Sequence, residues 1–529
     1  MKNTFSSAFE KESRWTKTLN GADALNTTGN SLLDFFATVG ALRNADETRI
    51  IGAFEDAYRE DPLRAIKIIF YARDVREGLG ERDVPRLLLK YVATTHPRAL
   101  SRNLCLIPSY GRWDDLYSII DTPLENAMWD FMKMQFISDV ASMKDEKQCS
   151  LLAKWIKTPD ASSDKTRKLG IITAKKLGYS VYEFKRILRR LRAYIDVTEA
   201  KMSTNRWTDI NYEAVPSKAM LLYKEAFKRH DKDGFDKYMA AVSKGEAKIN
   251  ASTLYPYDIV RDMFRGAYAG HDVLEAQWKA LPNYVEPGTN AIVMADVSAS
   301  MCCCDCLPMF SSIALALYFA ERNVGAYEGL FMTFSSNPTV VKVKGNTLEQ
   351  KLRFIKKAEW GQSTNFEAAF KKILDIAVKG HVPPEEMVKS LIVISDMEFD
   401  HANNGEFDYE TRKLKSHWTF YDRMEAEFKA HGYEIPNIIF WNVNSHQNVF
   451  HADSEHKGVQ LVSGHSASTF KQLMDSVGMT PVELMLKVID SDRYRAITLE
   501  SAIPDDVVYV IGVGVDGNGK RYKLASNRS

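Results

Sequence analysis

From about residue 30 to 285 the apolar positions recur at helical spacing, in segments such as "SLLDFFATVGALR", "DPLRAIKIIFYARDV", "DVPRLLLKYVATT", "VYEFKRILRRLRAYIDVTEAK" and "SKAMLLYKEAFKRH". Side chains at i, i+3, i+4 and i+7 share one face of a helix, so this pattern predicts amphipathic helices in succession. No alternating strand pattern interrupts them. Short polar turns without sustained heptads predict stacked helical pairs rather than a coiled coil, and the lack of a strict repeat makes any solenoid irregular.

The pattern changes at "ALPNYVEPGTNA", where two prolines and a glycine mark a boundary at about 282 to 290. Beyond it "AIVMADV", "YEGLFMTFS", "SLIVISDM", "NIIFWNV" and "GVQLVSG" read as buried strands. "LPMFSSIALALYFAERN", "TNFEAAFKKILDIAVKG" and "YETRKLKSHWTFYDRMEAEFKAHG" read as the helices between them. That order predicts an α/β domain whose mostly parallel sheet is covered on both faces, with a ligand site at the carboxyl ends of the strands. The chain therefore divides into a helical-repeat domain over 1–285, an α/β domain over 286–500 and a C-terminal extension over 501–529 that reads as a hairpin turning at "DGNG".

Two incompatible metal chemistries lie side by side in "ADVSASMCCCDC", residues 295–306. Asp296 and Asp396 both stand where an apolar strand ends, at "VMADVS" and "VISDME", so a parallel sheet brings them to one edge although they are 100 residues apart. Ser298 and Ser300 follow at alternating spacing, and Thr364 in "WGQSTNF" supplies a further hydroxyl before a helix. Such oxygen ligands suit a hard divalent cation, magnesium first, with manganese or calcium as substitutes. The competing reading is that Asp296 and the serines only cap the following helix.

Cys302, Cys303, Cys304 and Cys306 are the other chemistry. Structural zinc sites space their cysteines by two to four residues and draw a second pair from elsewhere, yet only Cys303 and Cys306 form a C-x-x-C pair, and Cys105 and Cys149 lie in the helical half. Small side chains packed beneath a metal loop, or a redox-sensitive thiol at a helix start, remain the readings for this cluster.

The D-x-S-x-S string, the later Thr364 and the strand-end Asp396 resemble the metal-ion-dependent adhesion site of von Willebrand factor type A domains, with Ala299 where many members have glycine. In the first half, "YARDVREGLGERD" (71–83) and "IPSYGRWDDLYSI" (107–119) resemble the TROVE helical-repeat domain of the Ro autoantigen family, whose members also end in a von Willebrand A domain. "NRWTDINYEAVPSKAM" and "TLYPYDIV", with "WGQSTNF", "VISDMEFD" and "IIFWNVN", are closer to a Ro-like branch of plants, fungi and bacteriophages. The resemblance implies an irregular HEAT-like helical ring followed by a Rossmann-like von Willebrand A domain. It also implies a noncatalytic protein that binds small structured or single-stranded noncoding RNA, and a magnesium-dependent site for an acidic protein partner.

Charge adds to this picture only when the chain is divided. The formal net charge is +1, but residues 1–290 carry 45 Lys and Arg against 39 Asp and Glu, and residues 151–230 carry 18 against 8. An anionic partner for the first half fits that excess. The RNA candidates are Lys165, Arg167, Lys168, Lys175, Lys176, Lys185, Arg186, Arg189, Arg190, Arg192 and Arg206. In "YEFKRILRRLRAY" the apolar Phe184, Ile187, Leu188 and Leu191 share a face, which puts Lys185, Arg189 and Arg192 on the other.

Arg73, Arg76 and Arg82 alternate with Asp74, Glu77, Glu81 and Asp83, which reads as intramolecular ion pairing. Arg112, Trp113, Asp114 and Asp115 read as fixing helix packing, and "RHDKDGFDKY" as a turn that only mimics a calcium loop. His271, His446 and His465 form no catalytic spacing. A metal-dependent interaction or assembly module without RNA binding is the alternative function. No apolar run approaches the roughly 20 residues of a membrane span, the start lacks a secretory h-region, and six cysteines build no disulfide framework, so the sequence predicts a cytoplasmic protein.

Overall fold

A computed structural model describes residues 13–499 apart from 267–269, 335–337, 358–365, 401–406, 409–412, 415–419, 475 and 477, together with 513–515 and 521–523. By packing, the chain forms two compact units, one of residues 1–60 and 251–491 and the other of 61–250 and 492–529. The boundaries at 285 and 500 mark changes of periodicity, whereas packing groups the segments differently. Helices Ser31–Thr38, Glu47–Glu60, Pro256–Phe264 and His271–Lys279 belong with the sheet.

The first unit opens with an antiparallel hairpin of β1 (Trp15–Lys17) and β2 (Asp23–Leu25). Its sheet contains β3 (Ala291–Ala295), β4 (Leu330–Thr333), β5 (Val340–Lys342) and β6 (Ser390–Ser395). A short antiparallel pair, β7 (Phe407–Asp408) with β8 (Lys413–Leu414), precedes the last two sheet strands, β9 (Asn437–Asn442) and β10 (Val459–Ser463). The sheet order is β10-β9-β6-β3-β4-β5, parallel throughout except for β5 against β4. Every residue of β3 and β6 is buried, as continuous apolar runs in a sheet covered on both faces require.

Two expectations need correction here. "YETRKLKSHWTFYDRMEAEFKAHG" is not one helix: Lys413–Leu414 is a strand, and among the described residues the helix spans Phe420–Ala430. From there Met424 and Phe428 are buried one turn apart, whereas the polar stretch before Phe420 offers no repeating apolar face. The helix of Ala299–Arg322 is long and apolar enough to cross a membrane, contrary to the reading that no run approaches that length. Most of it is buried in this unit, with Ile313 to Ala320 among the core residues.

The second unit is built from helices that include Pro62–Arg73, Asp83–Thr95, Glu125–Lys144, Asp164–Leu177, Val181–Tyr194, Ser217–His230 and Lys232–Lys244. Asp61 caps the first by accepting from Arg64 N at 3.0 Å, with Pro62 at its first position. Ser180 and Glu183 close a capping box on Val181–Tyr194. "RHDKDGFDKY" is the junction of two helices rather than a turn, and its Asp231 accepts from Tyr212 Oη at 2.8 Å. In the C-terminal extension, β11 (Val513–Val515) pairs antiparallel with β12 (Arg521–Lys523), while the "DGNG" positions between them lie outside the described residues.

Buried charges hold this unit together. Asp115, fully buried, accepts from Arg73 Nε at 2.7 Å, Arg86 Nε at 2.6 Å and Arg112 N at 2.7 Å. Asp114 faces Arg86 at 2.9 Å, Arg112 at 3.1 Å and Lys157 at 3.4 Å. Gly111 lets the chain pass this close: a Cβ there would lie 2.2 Å from Asp115 Oδ2. Asp74 is clasped by Arg493 through Nε at 2.7 Å and Nη2 at 2.8 Å, with Tyr494 Oη at 3.2 Å. The "YARDV" and "RWDD" strings thus serve intramolecular pairing and packing.

Asp115→Ala leaves the buried Arg73 guanidinium without its carboxylate. We expect it to destabilise the chain by about 3–5 kcal/mol, read as a lowered urea midpoint. A midpoint within experimental error of wild type would show that the network is not a stabilising element.

Candidate functional site

Strand register sets the geometry of the oxygen site. Ala295 pairs with Ile394, so Asp296 leaves β3 beside Ser395 and Asp396 at the end of β6. Asp296 N donates to Ile394 O at 3.1 Å. The sheet order reverses between β3 and β6, the position where open α/β sheets form a crevice.

Asp296 and Asp396 are both fully buried. Ser395 Oγ donates to Asp296 Oδ2 at 2.6 Å and lies 3.5 Å from Asp396 Oδ1. Ser298 N donates to Asp296 Oδ1 at 2.8 Å, and the Ser298 and Ser300 hydroxyls are 3.0 Å apart. Met397 takes a left-handed φ of 67°, a sharp turn that returns Glu398 N to Asp396 Oδ1 at 3.2 Å. Burial, and then the neighbouring Asp396 carboxylate, push the Asp296 carboxyl up to about 7 against the lowering effect of its hydrogen bonds.

The structure therefore brings together Asp296, Ser298, Ser300 and Asp396, while Thr364 lies outside the described residues. Asp396 Oδ2 is buried with no hydrogen-bond partner among the described residues. Two buried carboxylates beside two serine hydroxyls fit the oxygen ligands of a hard divalent cation. Among the described residues no group of three or more His, Cys, Asp or Glu side chains could hold a metal, so such an ion depends on the hydroxyls.

Sequence reasoning missed Ser395 and His446. His446 Nε2 lies 3.3 Å from Asp396 Oδ2 in an ion-pair contact, and the Asp396 carboxylate raises its pKa above the usual imidazole value. Its signal was positional: "WNVNSH" follows β9, another strand ending at the same edge. His465 is a core histidine, 2.8 Å from Ser311 Oγ, and burial lowers its pKa well below the ordinary value.

The basic candidates fall into distinct groups. Lys165, Lys168, Lys175, Arg186, Arg189 and Arg190 are exposed on the packed helices Asp164–Leu177 and Val181–Tyr194, without ion pairs among the described residues. Lys185 pairs with Asp160 at 2.7 Å, Lys176 with Glu125 at 3.1 Å, Arg206 with Asp209 at 3.9 Å and Arg167 with Asp164. Arg192 does not join the exposed face: its guanidinium donates to Ala153 O at 2.8 Å and Ile156 O at 3.2 Å, and burial lowers its pKa. Tyr182, unremarked in the sequence, is 74% exposed and stands on one helix face with Arg186, Arg189 and Arg190.

Residues 18–148 and 133–287 match the model of the Domain of unknown function (DUF2828), together more than half of the chain. The chain belongs to the DUF2828 family. Residues 290–502 of this DUF2828 member match a second model, the Domain of unknown function (DUF7788). It is 27% identical to Uncharacterized protein L728 of Acanthamoeba polyphaga mimivirus over 531 residues, covering 92% of this chain and 89% of that protein. It is also similar to the crystal structure of the Deinococcus radiodurans RO (RSR) protein, with 13% identity and a TM-score of 0.45, covering 84% of this chain and 99% of that one.

Behind the oxygen site His451 stacks against Phe399 at 4.4 Å and Phe440 at 5.3 Å, and burial pushes it down to about 4. An unfolded imidazole titrates near about 6.5, so between those values the unfolded chain holds more protons. Its contribution is complete above the unfolded value and is lost as pH falls toward 4. Comparing urea midpoints at pH 7 and pH 5, we expect a smaller drop in His451→Phe than in wild type; equal drops would exclude this titration.

Proposed function

We propose that this chain is a noncatalytic, Ro-like RNA-binding protein whose sheet unit carries a magnesium-dependent site for an acidic protein partner. The observation that carries the RNA reading is the face of Val181–Tyr194 bearing Tyr182, Arg186, Arg189 and Arg190, next to Lys168 and Lys175 on the neighbouring helix. Guanidinium and ammonium groups neutralise phosphates, and an exposed ring offers a surface on which an unpaired base stacks. The motif resemblance of the helical half to the TROVE domain supports the same ligand class.

Binding of single-stranded or hairpin RNA, followed by fluorescence anisotropy, is then salt-sensitive. Joint reversal of Arg186, Arg189 and Arg190 to Glu weakens it and flattens the salt slope by about one for each phosphate no longer neutralised. Tyr182→Ala costs about 1–3 kcal/mol. No RNA affinity at low salt, or variants that bind as wild type does, would sink this reading.

The partner site rests on the oxygen donors of Asp296, Ser298, Ser300 and Asp396, with Thr364 as a further hydroxyl. A bound magnesium ion would leave positions open for a partner's carboxylate. Magnesium or manganese at a hundred times its Kd raises wild-type stability by about 2.7 kcal/mol. Asp296→Asn removes one of two like charges, so without metal it is at least as stable as wild type, and it gains nothing from the ion. Equal stabilisation of both chains by magnesium would rule the site out. A metal-dependent interaction module without RNA binding is the second reading, favoured if this test succeeds and the RNA test fails.

A further inference from the structure

The cysteine cluster has no part in either reading. Cys303 Sγ accepts from Asn444 Nδ2 at 3.4 Å, and Cys304 is exposed. Cys302 and Cys306 go together: Cys306 Sγ donates to Cys302 O at 3.5 Å. Met309, one turn further on, places Sδ 3.9 Å from Cys302 Sγ. Cys302 is exposed, while Cys306 and Met309 are half-buried.

An unusual backbone creates this grouping. Cys304, Asp305 and Cys306 have φ of 55°, 61° and 57° with ψ of 49°, 32° and 26°, three successive left-handed residues without a glycine. Left-handed backbone is strained for residues that carry a Cβ, and such strain persists where the surroundings over-determine it. Here Arg265 pairs with Asp305 at the middle of the turn, and the buried helix from Leu307 onward fixes its far end.

We propose that Cys302, Cys306 and Met309 form a three-coordinate sulfur site for a soft monovalent cation, Cu(I). Thiolate and thioether ligands select Cu(I) over the hard ions that suit Asp296 and Asp396. With metal–sulfur bonds of about 2.3 Å, three sulfurs around one ion stand about 4 Å apart, the spacing of Cys302 and Met309. Zinc takes four strong donors, and Cys302 and Cys306 offer only two with a thioether. Binding is ligand exchange without electron transfer: copper–sulfur bonds form as each coordinating thiol releases its proton to solvent.

The test uses the full chain, reduced and metal-free under anaerobic conditions, titrated into the coloured Cu(I)–bicinchoninate complex. Wild type withdraws one copper per chain. Cys302→Ser and Cys306→Ser each weaken binding by roughly 100-fold, and Met309→Leu, close in volume, by roughly 10-fold. Cys304→Ser binds as wild type, and circular dichroism verifies that each variant is folded. A wild-type chain that withdraws no copper, Cys302→Ser or Met309→Leu binding undiminished, or Cys304→Ser losing as much as Cys302→Ser overturns the proposal. So does a chain that takes up no copper and instead loses two hydrogens in air as Cys302 and Cys306 form a disulfide.

Discussion

The pairing of β3 with β6 is the constraint on which the sheet unit turns. Once Ala295 stands opposite Ile394, two carboxylates must emerge side by side in a fully buried pocket. Like charges so close cannot both remain ionised cheaply without compensation. The surroundings supply part of it: the Ser395 hydroxyl, the Ser298 and Glu398 amides and the His446 imidazole all converge there. A proton on Asp296 or a cation between the two would supply the rest. The site is thus a place where the protein stores electrostatic tension at the carboxyl ends of its central strands.

The helical unit handles charge in the opposite way. Its buried arginines are matched to carboxylates with short contacts, so Arg73, Arg86 and Arg493 are spent on structure. The basic groups that remain at the surface cluster on two neighbouring helices, one of which buries the apolar Phe184, Leu188 and Leu191. Composition alone merges these two populations into a single basic excess. Burial separates those that hold the fold from those available to phosphates.

Much of this was legible in the sequence. Continuous apolar runs gave the buried strands, and an aspartate directly after such a run has to stand at the sheet edge, which located Asp296 and Asp396. Arg192 was misplaced because a helical wheel knows nothing of Ala153 and Ile156, whose carbonyl groups draw its guanidinium inward. His446 was missed because its neighbour, Asp396, is 50 residues away and only the strand order brings them together. The single helix expected over "YETRKLKSHWTFYDRMEAEFKAHG" is interrupted by the strand Lys413–Leu414, whose pairing partner, Phe407–Asp408, lies outside the segment that suggested it. The left-handed turn at Cys304 to Cys306 had no glycine or asparagine to announce it.

The clasp of Asp74 by Arg493 joins residues 419 apart in sequence. On a ribosome adding about 5–20 residues per second, Asp74 emerges on the order of a minute before the arginine that will hold it. Throughout that interval the helical unit lacks one of its closing elements, and residues 251–491 of the sheet unit are made in between. The nascent chain therefore carries Tyr71 and Tyr110 without the Tyr494 ring that later packs against both. Completion of the helical unit is in this way deferred until the greater part of the sheet unit has been made.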